Sequence, residues 1–376
     1  MNRETYRLGD IVQFNPTERL AKGTLAKKVP MEYLQPFTRA IINYEKAEYS
    51  GGSRFRNGDT LMARITPCLE NGKTAYVSIL DEDEVGFGST EYIVFRNVEG
   101  LTDSLFVYYF VTNPWFRDIA IKSMVGSSGR QRVQLAVLEN LVVNLPPLAE
   151  QKRIADILGA LDDKIELNRR INDNLEEQAK ALFKSWFVDF DRNEWVHCEL
   201  GDITLITAGG DRPSKYTNKK TIECHVPIYS NGIDNEGLYG YTNVAKIHEE
   251  SITISARGTI GYVCLRLEPY VPIVRLISII PNKKELSAKY LYLWALTQNI
   301  TGTGTTQQQL TVPIFRKTPI SIPSDTKLKQ FNSIADPLFS QIESNKKENI
   351  KLSTLRDTLL PKLMSGELSV EEVSFD

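Results

Sequence analysis

Between Ala149 and Phe187 the chain repeats a pattern in alternating steps of four and three residues: Ile154, Leu158, Leu161, Ile165, Asn168, Asn172, Leu175, Ala179, Leu182 and Trp186. This heptad seam predicts one long helix whose stripe packs on a partner helix. No Gly follows Gly159 and no Pro follows Pro147 until the seam is over. A second seam lies 177 positions later: Phe331, Ala335, Leu338, Ile342, Asn345, Asn349, Leu352, Arg356, Leu359 and Leu363. Both seams carry a pair of Asn residues at the same two steps. An Asn on an apolar seam costs stability unless it meets a partner, so it fixes register and orientation. The simplest arrangement is antiparallel, with Asn168 and Asn172 near Asn345 and Asn349. The alternative is two separate amphipathic helices, each packed on its own domain.

The seams belong to a larger duplication. Leu8-Gly9-Asp10-Ile11 opens one half and Leu200-Gly201-Asp202-Ile203 the other. Each half continues with a variable segment and then a stretch ending in Arg. In the first half it is Asp59 to Arg64, in the second Ser251 to Arg257. Its alternation suits a strand with one buried face. Aromatic-bearing helices follow near Asp103–Asn113 and Ser287–Gln298. Polar loops come next, Gly126-Ser127-Ser128-Gly129-Arg130-Gln131-Arg132 and Gly302-Thr303-Gly304-Thr305-Thr306-Gln307-Gln308. A short strand ending in Pro then leads into each long helix. The expected architecture is therefore α+β. Two similar globular domains, 1–148 and 191–324, alternate with helices at 149–190 and 325–368, and 369–376 forms a tail.

Roughly 33 residues of helix from Ile154 to Trp186 span about 50 Å. Two such rods side by side, with a domain at each end, make a pseudo-two-fold dumb-bell that holds two sites at fixed spacing. Asp189–Arg192 is the expected turn out of the first helix. Gly366 is placed to end the second. Pro337 and Pro361 are expected to kink that helix or mark its boundaries. Arg356, standing where the first seam has Ala179, is expected at an edge.

With 376 residues the chain can hold two or three cores. Its net charge of −2 argues against a general coat of positive charge but leaves room for a local basic groove. No apolar run is long enough for a bilayer and the N-terminus lacks a signal-peptide core, so no membrane association and a cytoplasmic location are expected. Cys68, Cys198, Cys224 and Cys264 are scattered, and His197-Cys198 with Cys224-His225 lacks metal-ligand spacing, so no metal is assigned. There is no phosphate loop, no dinucleotide or methyl-donor glycine motif, no Asn/Asp-Pro-Pro-aromatic string and no nucleophile elbow. No catalytic residue and no cofactor of its own are expected.

Two long strings carry a resemblance. The first runs Leu145-Pro146-Pro147-Leu148-Ala149-Glu150-Gln151-Lys152-Arg153-Ile154-Ala155 and continues with Leu161 to Asn168; the second is Leu355 to Leu368. With them, the chain resembles over essentially its full length the specificity subunit of a Type I restriction–modification enzyme. The start of the second helix, Ser324-Asp325-Thr326-Lys327-Leu328, departs from the pattern. The resemblance implies two target-recognition domains reading the halves of a split site in double-stranded DNA, with the helices as a ruler. It also implies two modification subunits docked on that scaffold and a restriction subunit beside them. S-adenosylmethionine, ATP and magnesium then belong to those partners. The competing reading is a scaffold that binds proteins without reading bases.

Base reading calls for Arg toward guanine and Asn or Gln toward adenine, while Lys, Arg and hydroxyls hold phosphates. The first-half candidates are Arg64, Lys73, Ser127, Ser128, Arg130, Gln131 and Arg132. In the second half they are Lys215, Tyr216, Asn231, Arg257, Thr305, Thr306, Gln307 and Gln308. Arg64 and Arg257 are equally open to a structural ion pair at a strand end, and the polar loops to a role as plain connectors.

Overall fold

The computed structural model describes residues 3–189, 195–282, 286–298, 300 and 310–373. The chain forms two compact units, Met1–Arg169 with Lys346–Asp376 (unit one) and Arg170–Asn345 (unit two). Both are α+β.

Unit one opens with Glu4–Arg7 paired antiparallel to Val142–Leu145, followed by the helical turn Leu8–Ile11. Its main sheet has the order Val12–Phe14, Tyr92–Asn97, Thr60–Ala63, Thr74–Tyr76, all antiparallel. A second sheet, Glu45–Glu48, Leu25–Val29, Gly86–Gly88, Ser53–Phe55, includes one parallel pair. Asp103 starts the helix Ser104–Thr112 by accepting from the Phe106 amide at 2.9 Å. Asn113 ends it and caps the next, Pro114–Lys122, accepting from the Trp115 amide at 2.9 Å, with Pro114 at the first position.

Unit two repeats the plan. Val196–Glu199 pairs with Pro319–Ile322, and the helical turn is Leu200–Ile203. The main sheet runs Thr204–Ala208, Ile277–Pro281, Ser251–Ile254, Val263–Arg266, the same order as in unit one. Its second sheet has three strands: Leu238–Thr242, Val226–Tyr229 and Val271–Pro272. The pairings and the helical turns align the units closely: Val12 and Asn97 correspond to Thr204 and Pro281.

The strands expected to bury one face bury both. Thr60, Leu61, Met62 and Ala63 are buried throughout, as are Ser251, Ile252, Thr253 and Ile254. Met62 packs in the helix-side core, whereas Leu61 joins a separate core with Val29, Phe55 and Val77. The polar members of the alternation are thus interior. In unit two they have partners: Ser251 bonds the Tyr270 hydroxyl at 3.0 Å, and Thr253 accepts from Arg266 at 3.0 Å.

The long helices are Leu148–Phe183 and Asp325–Ser365. The first starts directly after Pro146-Pro147 and closes in a π-helical turn, Lys184–Val188; the second ends at Gly366, whose φ is +80°. Unit one packs Ile154, Ala155 and Leu158 in one core with Leu360 and Leu363. Unit two packs Ala179 and Phe183 with Phe331, Ala335, Phe339 and Ile342. In each unit the two helical segments run antiparallel, since higher positions on one meet lower positions on the other: Asp162 with Arg356 and Asn168 with Asn349, then Asn172 with Asn345 and Phe183 with Phe331.

For the second helix, one of the two alternatives open to its prolines falls away, and the expectation for Arg356 needs correction. Neither Pro337 nor Pro361 bounds it: each leaves one carbonyl without its helical donor, while buried neighbours (Ala335 and Phe339; Leu360 and Leu363) keep the segment packed. Arg356 is not at an edge. Its side chain is 11% exposed and meets Asp162 at 2.5 Å, so the seam takes in a cation because a buried carboxylate lies across from it.

Candidate nucleic-acid interface

In unit one the candidates gather where two main-sheet strands end. Arg64 follows Thr60–Ala63, and Glu91 precedes Tyr92–Asn97; the Arg64 amide donates to the Glu91 carbonyl at 2.9 Å. Val133 in turn donates to the Arg64 carbonyl at 2.9 Å. The loop before it is closed by Val125 and Arg132, which exchange backbone hydrogen bonds at 3.0 and 2.9 Å. Thr66 donates to the Gln131 carbonyl at 3.1 Å, and Arg130 to that of Ser127 at 3.0 Å. This tight turn leaves Ser127, Ser128, Gly129 and Arg130 exposed. It is an anchored loop, not a loose connector.

Glu91 organises the charges. Arg132 donates to its carboxylate at 2.7 and 3.0 Å, and Arg64 lies at 3.9 Å. The Arg132 guanidinium holds the Glu91 carboxyl below the usual carboxylate range. At that distance Arg64 makes no hydrogen bond, and its buried Nε has no hydrogen-bond partner among the described residues. Lys73 is not part of this group: its ammonium donates to the Met31 carbonyl at 2.9 Å.

Unit two distributes its candidates differently. Lys215 is ion-paired with Glu223, and its carbonyl accepts from Thr242 at 2.7 Å. The Arg212 guanidinium lies 3.9 Å from the centre of the Tyr216 ring and donates to the Tyr239 hydroxyl at 3.1 Å. Asn231 has its amide engaged within the fold. Its Nδ2 donates to the Val274 carbonyl at 2.7 Å, and its Oδ1 accepts from the Ala256 amide at 2.8 Å. Arg257 is exposed just beyond. Thr305, Thr306, Gln307 and Gln308 lie outside the described residues.

The strand pairings also shift one alignment. Arg64 corresponds to Ala256 and not to Arg257, as the next contacts confirm: Val133 donates to the Arg64 carbonyl, and Leu310 donates to that of Ala256 at 3.2 Å. Sequence reading missed Glu91, Arg212, Tyr239 and Arg275. Only the pairing register could have singled out Glu91 and Arg275, which share a place six residues before Asn97 and Pro281.

On the helix seam, Asn168 donates to Asn349 at 2.9 Å and to Glu348 at 2.7 Å. In unit two Asn345 donates to Asn172 at 2.8 Å. Asn349 reaches the Ile165 carbonyl at 3.3 Å, and Asn172 reaches that of Ile342 at 3.4 Å. Among the described residues no cluster of three or more His, Cys, Asp or Glu could hold a metal ion, and no helix is long and apolar enough to cross a membrane.

The family model for the Type I restriction modification DNA specificity domain matches residues 2–177 and 192–354. The chain is 27% identical over 317 residues to the Type I restriction enzyme MjaIX specificity subunit of Methanocaldococcus jannaschii, covering 74% of this chain and 73% of that one. It is 26% identical over 425 residues to the Type I restriction enzyme HindI specificity subunit of Haemophilus influenzae, covering 87% and 90%. Among solved structures, the S subunit of a Type-I restriction-modification system from M. genitalium matches 96% of each chain with a TM-score of 0.55 at 18% identity, a likeness of fold.

Proposed function

We propose, from the fact that this chain belongs to the Type I restriction modification DNA specificity family, that its two units each read one half of a bipartite site in double-stranded DNA. One observation carries the reading. The same four-stranded sheet is built twice, and polar and basic residues collect at the same strand ends in both units: Arg64, Arg130 and Arg132 in one, Arg257 and Arg275 in the other. Guanidinium groups, hydroxyls and amides at one edge suit contacts to phosphates and base edges. The long helices set the spacing between half-sites, with the two Asn pairs selecting their register. Two modification subunits dock on these helices and bring S-adenosylmethionine, and a restriction subunit with ATP and magnesium completes the assembly. The chain itself supplies recognition, not chemistry.

Footprinting of the assembled complex tests this. Two short protected patches flanking an open gap are expected, with binding that weakens steeply as salt rises. Replacing Gln307 and Gln308 by Ala is expected to alter selectivity at one half-site only. A complex that assembles and leaves no footprint favours a protein-binding scaffold instead.

A further inference from the structure

The position that Glu91 holds in unit one belongs to Arg275 in unit two. In unit one it carries a carboxylate, and the loop before Val133 supplies the arginine that neutralises it. In unit two the charge is reversed. The Arg275 side chain is exposed and has no hydrogen bond or ion pair among the described residues. The segment 301–309, which in sequence corresponds to the arginine-bearing loop, contains no acidic residue, so it has no carboxylate to offer.

The backbone beneath Arg275 is held in an unusual shape. Val274 and Arg275 have φ of +52° and +61°, a region that a β-branched residue rarely enters. Three contacts impose it. The Val274 amide donates to the Gly210 carbonyl and the Arg275 amide to the Gly209 carbonyl, both at 2.9 Å, while Asn231 donates to the Val274 carbonyl at 2.7 Å. Gly209 must be glycine here, because a Cβ would sit 2.7 Å from the Ile273 nitrogen. The same Asn231 amide accepts from Ala256. One side chain therefore fixes the two residues that immediately precede Arg257 and Arg275. Strain of this kind persists where the surroundings over-determine it, and it accompanies function that needs a fixed geometry.

Resting on the DNA-reading function above, we propose that Arg275 is a base-reading residue of unit two that takes guanine, with Asn231 as its positioning residue. The guanidinium fork matches the O6 and N7 acceptors of guanine in the major groove, a contact that depends on direction. A phosphate contact needs charge alone and gains little from a clamped backbone. Val274, 51% exposed, offers an apolar neighbour for an adjacent thymine methyl.

The test is selection of bound duplexes from a randomised pool by the complex of this chain with its modification subunits, followed by sequencing. Arg275→Ala is expected to relax one guanine position in one half-site by about tenfold to a hundredfold and leave the other half-site unchanged. Arg275→Lys keeps the charge but loses the fork, and is expected to relax the same position. An unchanged motif in Arg275→Ala overturns the proposal. So does a uniform loss of binding that Arg275→Lys restores, which marks a phosphate contact. Thermal melts of both variants confirm folding. A wild-type complex that selects no bipartite motif removes the underlying function instead, so the two failures are distinct.

Discussion

At one step of the helix seam the two units bury opposite chemistry. In unit one Asp162 and Arg356, with side chains 3% and 11% exposed, meet at 2.5 Å, and the Tyr109 hydroxyl donates to Asp162 at 2.7 Å. Displaced by the spacing between the seams, the same two positions in unit two are Phe339 and Ala179, 3% and 0% exposed, with the Tyr292 ring 6.0 Å from that of Phe339. An ion pair in one unit does what a ring against a methyl does in the other. Desolvating two charges costs about what their attraction returns, so apolar residues can replace them. The ion pair adds dependence: neither partner tolerates the loss of the other.

The largest expected effect follows from that dependence. Arg356→Ala leaves Asp162 buried without its counter-charge and is expected to cost about 3–5 kcal/mol in denaturant unfolding. Transplanting the unit-two solution, Asp162→Phe with Arg356→Ala, is expected to recover most of this loss. Adding Tyr109→Phe removes the hydroxyl left without an acceptor. A double variant no more stable than Arg356→Ala would show that the two solutions are not interchangeable.

Two steps along the seam the units agree, and the effect there is smaller. Asn349→Leu takes from Asn168, 1% exposed, one of the two acceptors of its amide, leaving Glu348, and is expected to cost about 1–3 kcal/mol. Asn172→Leu, which removes the acceptor of the Asn345 amide in unit two, is expected to cost the same. Replacing Asn168 and Asn349 together by Leu is expected to be nearly neutral, because no polar group is then stranded. A double variant as unstable as the single one breaks the equivalence of the two pairs.

The contrast between these steps explains what was legible in the sequence. The seams and their Asn pairs could be read because periodicity is local and occurs twice. The setting of Arg356 could not: its partner Asp162 lies 194 residues upstream, and nothing local links them. The strands Thr60–Ala63 and Ser251–Ile254 looked one-faced because the cover on the second face comes from scattered places: Val29 and Phe55, on strands too brief to carry a period, over Leu61, and the Tyr270 and Arg266 side chains on Ser251 and Thr253. At the candidate interface the turn at Ser127–Arg130 showed in composition. The commitments of Lys73 and Asn231 did not, since their acceptors are the carbonyls of Met31 and Val274 and any residue supplies a carbonyl. Glu91 and Arg275 became comparable only through strand register, which a one-residue shift obscures.

The units also differ where their first strand meets a helix end. In unit one Arg3 donates to the carbonyls of Met364 and Leu363 at 2.6 and 3.2 Å, at the helix C-terminus where the Leu363 carbonyl also accepts from the Gly366 amide. The matching residue in unit two is Trp195, whose ring lies 5.8 Å from that of Phe187. Arg3→Ala is expected to cost about 1 kcal/mol, read as a lower melting temperature. Arg3→Lys is expected to restore part of it, which a purely steric role for Arg3 would not allow.

The smallest effect tests the unit-one side of the Glu91–Arg275 contrast. Arg132 depresses the Glu91 carboxyl, so this contact stabilises the folded loop above the ordinary carboxylate pKa of about 4.3. Its contribution is lost as pH falls through the lower folded value. Hydrogen exchange at the Val125 and Arg132 amides, which close the loop, is expected to lose protection on acidification below about pH 4. In Glu91→Gln that protection is expected to be low already at neutral pH and insensitive to acid. The pair is open to solvent, so the global melting temperature is expected to stay unchanged. If both amides keep full protection in Glu91→Gln, the backbone bonds alone hold the loop. Glu91 is then a bystander, and the charge reversal between the units has no structural counterpart in unit one.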